Sequence, residues 1–146
     1  MLKMNQFINY CGILKDDLES LVSDEYRAVL SDVDKVECEN TLKNDILAFI
    51  KDSAGTIYRD DSDEYKLFIK VFISVQKIIK ILSMIDFCSE QLLDPEKCLI
   101  HPDNWDILPE TIMKYKKQLD ECYKNTYEQL STVISYSSNA NRREIS

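Results

Sequence analysis

The sequence predicts an all-α fold: a single helical bundle of about five or six helices around a central apolar helix near residues 63–90. Three observations predict it. The 146 residues include only two glycines and three prolines, and neither Asn-Gly nor Asp-Gly occurs. Sheets need a turn every few residues and tight turns draw on those residue types, so this chain is built of long elements with few connections. Apolar residues are 45% and charged residues 30%, the balance of a globular chain whose length suits one domain. Apolar residues also recur at spacings of three and four over long stretches, the period of a helix face.

Taken in order, the first stripe is Leu14, Leu18, Leu21 and Val22, preceded by a short helix through Phe7, Ile8 and Cys11. Gly12, or the run Ser23-Asp24-Glu25, is the expected interruption. Leu42, Ile46, Phe49 and Ile50 predict a helix over 40–53, ending near Gly55, since glycine is favoured just past a helix C-terminus.

The central segment is crowded with apolar residues from Leu67 to Ile85, and its polar residues decide what it is. Lys66, Lys70, Ser74, Lys77, Lys80 and Ser83 recur every three or four positions, one narrow stripe on a helix where a strand would need period two. Ser62 serves as N-cap, and Asp63 and Glu64 complement the dipole in the first turn. The wide apolar circumference predicts neighbours on most sides. A membrane span is excluded by Lys70, Lys77, Lys80 and Asp86, each costing about 2.5–3.5 kcal/mol at bilayer depth.

The last helix opens at Pro109 and Glu110, and its buried face is Ile112, Tyr115, Leu119, Cys122, Thr126, Leu130, Val133 and Ser137. It is expected over 110–136, closing a single domain of residues 1–137, with 138–146 a frayed polar tail. Between Asp94 and Pro109 lies the longest irregular segment, which holds His101 and Trp105.

Charge divides the chain. The net charge is −8, and residues 1–65 carry 15 acids against 7 bases while residues 66–146 carry 11 of each. An acidic half repels nucleic acid and anionic membrane and attracts a basic protein surface. The five cysteines are odd in number and widely spaced, and the first residues lack the apolar run of a signal peptide. Reduced cysteines and a cytoplasmic location, in the producing cell or an infected host cell, are therefore expected.

Signatures of catalysis are sparse. Gly12 and Gly55 cannot write a glycine-rich phosphate loop, and one histidine cannot supply the usual zinc or diiron sets. Cys98-x-x-His101, with Cys88 or Asp94, is an incomplete zinc pattern, and Cys98 or Cys88 with His101 an unactivated thiol pair. Asp60 and Asp63 have a Mg²⁺-binding spacing but lack a facing pair, and helix capping accounts for the acids from Asp60 to Glu64. No cofactor and no metal site is expected.

The expectation is a non-catalytic interaction module whose acidic face binds and inhibits or neutralises a basic protein, as immunity proteins, antitoxins and viral or phage inhibitors do. Its candidate residues are Asp16, Asp17, Glu19, Asp24, Glu25, Asp32, Asp34, Asp60, Asp61 and Asp63. The alternative is a helical adaptor or homodimer using Trp105, Tyr123 and Tyr127, residue types enriched at binding hot spots. A third reading is a Mg²⁺-dependent helical hydrolase or a cysteine-based one.

Overall fold

The computed structural model describes residues 2–23, 30–54, 63–94, 96 and 102–145. Within them are four α-helices and no strand: α1 (Met4–Val22), α2 (Asp32–Ser53), α3 (Asp63–Leu93) and α4 (Ile107–Ile145), with a 3-10 turn at Pro102–Asn104. The all-α class holds, with fewer and longer helices than expected.

Each difference has a local cause. Gly12 does not break the first helix, and a side chain there would meet nothing within 4 Å. A mid-helix glycine costs about 1 kcal/mol relative to alanine. The buried stripe Phe7, Cys11, Leu14, Leu18 and Leu21 runs straight through it and outweighs that cost. The second helix starts at Asp32 rather than near residue 40, because Ser31 caps it. Its Oγ accepts the Asp34 N–H at 3.2 Å, and the Asp34 carboxylate accepts the Ser31 hydroxyl at 2.8 Å. The last helix continues to Ile145, past the expected end near 136, since neither Gly nor Pro follows Pro109 to stop it.

Two contacts share one register and set α1 antiparallel to α2: Tyr10 bonds Asp52, and Asp17 lies against Asp45. Met84 and Cys88 meet Thr111 and Tyr115, while Ser74 donates to Gln129 at 2.6 Å, so α3 and α4 are antiparallel too. Each helix packs on its sequence neighbour and α4 returns to α1; packing is most extensive between α3 and α4 and slightest between α2 and α3. This is a ring of four, a shape that needs only short connections.

A ring has no helix at its centre, which corrects the expected arrangement around the third helix. α3 buries Phe68, Val71, Val75, Ile78 and Leu82 but exposes Lys66, Lys70, Ile73, Lys77, Lys80, Met84 and Phe87 on its outer side. The lysine stripe marks the solvent face correctly. That face is wider than the lysines alone indicate, because Ile73, Met84 and Phe87 share it.

One core joins all four helices. At one end Phe7, Tyr10, Phe49, Phe68 and Phe72 form an aromatic cluster, with centroids 5.4–6.2 Å apart in the recorded pairs. At the other end Cys88 and Leu108 are buried apart from that core. At a rise of about 1.5 Å per residue α4 is some 58 Å long, twice the length of α1, so it forms the spine against which α1 and α3 both pack. Among the described residues, no helix is long and apolar enough to cross a membrane.

Candidate functional site

The α1–α2 hairpin collects the acidic half of the chain on one side of the bundle. These two helices carry nine acidic and four basic residues, whereas α3 and α4 together carry nine and ten. Two of the four hairpin lysines turn towards other helices. Lys15 Nζ lies 5.6 Å from the centre of the Tyr127 ring on α4, and Lys43 reaches Asp86 on α3 at 3.8 Å. The hairpin carboxylates are thus left largely unneutralised.

Of the sequence candidates, Asp16, Asp17 and Glu19 lie on α1. Asp16 is exposed and without a hydrogen bond or ion pair among the described residues. Glu19 accepts the Tyr127 hydroxyl at 2.7 Å. Asp32 is exposed in the first turn of α2, and Asp34 is engaged in capping. Asp63 begins α3, at the opposite end of the bundle from Asp32. Asp24, Glu25, Asp60 and Asp61 lie outside the described residues, as do Cys98 and His101.

The structure adds acids that the sequence reading passed over. Asp45 and Asp52 on α2 line the seam with α1, Glu37 is exposed on the outer side of α2, and Glu39 turns inward. Recognising the seam residues requires the register between two helices, which no local pattern encodes. In the seam, Oδ2 of Asp17 is sealed from solvent, and among the described residues no N–H or O–H reaches it. Burial first, then the hydrogen bond to Asp45 and the negative charges of Asp45 and Asp16, push the Asp17 carboxyl up to about 7.

The tyrosines of the alternative reading are partners of the acids. Tyr123 is 1% exposed, and its hydroxyl donates to Glu39 at 3.0 Å across the bundle. Burial, then Glu39, raises its pKa. A side chain so enclosed serves packing, not a docking surface. Tyr127 is half-buried, and its hydroxyl is held by Glu19, which raises its pKa, followed by burial. A third such bond runs from Tyr10 to Asp52. Trp105 is half-buried at the entry to α4, where its carbonyl accepts the Leu108 N–H at 3.1 Å.

Three surface depressions bear on function. A groove of about 500 Å³ beside the acidic seam is lined by Leu2, Gln6, Asn9, Tyr10, Ile13 and Asp52. One of about 490 Å³ between α2, α3 and α4 has mixed charge, including Asp32, Glu39, Lys43, Asp86 and Lys116. The third, about 410 Å³, is almost wholly apolar and is walled by Met84, Phe87, Cys88, Ile107, Leu108 and Tyr115. Among the described residues, no group of three or more His, Cys, Asp or Glu is placed to hold a metal ion. Comparison with protein-family models, curated proteins and solved structures found no match to this chain.

Proposed function

We propose that this chain is a non-catalytic interaction protein whose α1–α2 hairpin docks on a basic surface of another protein and neutralises it. The observation that carries the reading is the partition of charge: nine acids against four bases on one helical hairpin, with Lys15 and Lys43 turned to other helices. Opposed fields of this kind accelerate encounter and exclude acidic partners. Asp16, Asp32 and Glu37 stand exposed on that hairpin, available to basic side chains of the partner.

The test is capture from the native host with the chain as bait, against a variant carrying Asp16→Asn, Asp32→Asn and Glu37→Gln. The expected catch is a protein or domain of pI above about 9, the footprint of a basic surface. It should be released near 0.5 M salt, where the screening length falls to about 4 Å, and be lost from the variant. Capture that survives both the salt and the three substitutions would sink the proposal.

A second reading, a helical adaptor or homodimer, is favoured by the opposite kind of surface. Where α2 begins, α3 ends and α4 begins, Val33, Phe87, Leu93, Ile107 and Met113 are all at least 40% exposed. Clustered apolar exposure marks contact surfaces. Ile107→Glu with Met113→Glu, run beside the acidic variant, separates the two: loss of capture or of a dimer mass in this arm alone assigns the contact to the apolar end.

A further inference from the structure

Across the α1–α2 seam the antiparallel register sets Asp17 opposite Asp45, about one turn from Phe49 on α2 and two from Tyr10 on α1, in the aromatic cluster that binds the same two helices. The Tyr10–Asp52 bond fixes the same register, and Asp45 is the carboxyl that faces Asp17 across it. Oδ2 of Asp17 is closed to solvent and receives no N–H or O–H among the described residues. Two carboxylate oxygens are both acceptors, so a direct hydrogen bond between them needs a proton on one; a buried acceptor left without a partner carries its full desolvation cost.

Among the described residues, the groups around the pair offer no cation. On α1, the next residue is Asp16, another negative charge, and Lys15 is drawn to the Tyr127 ring. On α2, Lys43 turns to Asp86. From α4, Tyr127 reaches this part of α1, its ring under Lys15 and its hydroxyl bonded to Glu19. Among the described residues the pair therefore faces acids and a tyrosine.

We propose that Asp17 and Asp45 hold one proton between them, so that the α1–α2 hairpin is tight while the proton is bound and loosens when it leaves. The pair is a pH-responsive clasp on the acidic face. When both carboxyls ionise, like charges at the seam push the helices apart, as in carboxyl dyads that cannot ionise together. The raised affinity of Asp17 for its proton accords with this geometry. Because the folded chain holds the proton more tightly than the unfolded chain, stability falls as pH rises towards about 7 and levels off above it.

The test is urea unfolding of the full chain at several pH values from about 5.5 to 8.5, for wild type, Asp17→Asn and Asp45→Asn, beside a carbon-detected NMR titration of the wild-type carboxyls. Asn at position 17 donates to Asp45 as the protonated carboxyl does, and it cannot ionise. The wild-type unfolding constant should rise about five- to tenfold between pH 6 and 8, tenfold being the ceiling for one proton released with a midpoint near 7. Asp17→Asn should lose that rise. One seam carboxyl should titrate above pH 6. A wild-type rise below about threefold, an equal rise in Asp17→Asn, or a midpoint below 6 for both seam carboxyls would overturn the clasp. The NMR arm decides the matter even if a variant does not fold.

Discussion

Phe49 is the side chain whose removal most directly tests how this bundle is held together. The packing of α2 on α3 is slight, yet Phe49 of α2 is fully buried and reaches rings on both flanking helices. Phe7 and Tyr10 of α1 lie 6.1 and 5.4 Å from it, and Phe68 and Phe72 of α3 lie 6.0 and 6.2 Å away. Truncating a buried Phe to Ala costs about 3–5 kcal/mol in lost transfer energy and residual cavity. Ring pairs of this geometry add roughly 0.5–1.5 kcal/mol each beyond area, so the upper part of that range applies. Against a total stability of about 5–15 kcal/mol, Phe49→Ala should remove roughly a quarter or more. For a domain of this size about 4 kcal/mol corresponds to a fall in Tm of some 8–16 °C. Urea and thermal unfolding followed by far-UV circular dichroism measure both quantities. Phe87→Ala is the control, since that ring is 40% exposed and should cost under about 1 kcal/mol. If Phe49→Ala costs no more than Phe87→Ala, the aromatic cluster does not tie α2 into the bundle, and the reasoning fails.

Two further outcomes follow from the core. Oγ1 of Thr126 is buried on α4 with no hydrogen-bond partner among the described residues, so the near-isosteric Thr126→Val should raise stability by about 1 kcal/mol in urea unfolding. A loss of that size would mean that the hydroxyl is satisfied. Cys11 is fully buried and burial pushes its thiol up to about 12, whereas Cys38 is only half-buried. Alkylation of the native protein near pH 8, mapped by mass spectrometry, should therefore label Cys38 well before Cys11, and equal rates would contradict the placement of Cys11 in the core.

What the sequence by itself determined is what a single helix can express. The face of α4 was legible because Leu119, Cys122, Thr126, Leu130 and Val133 repeat at helical spacing, and all five are buried. The lysines of α3 were legible as a solvent stripe for the same reason. The capping box of Ser31 and Asp34 was also present in the sequence, as an acid three residues after a serine, and it marks the start that the stripe from Leu42 alone missed. Gly12 misled because its propensity cost is local, while the stripe that overrides it spans the whole helix.

Tertiary structure decided which residues meet. Asp17 and Asp45 are 28 positions apart and Tyr123 and Glu39 are 84 apart, and neither pairing follows from the period of either helix. The number of helices in the ring, the full width of the exposed face of α3, and the joining of Glu19 with Tyr127 depend likewise on register between helices. That register is set by how side chains from different helices fill one core. The acidic half was visible from the charges alone; only the packing showed that one of its carboxyls is set against another at the seam while Asp16, Asp32 and Glu37 stand exposed on the hairpin.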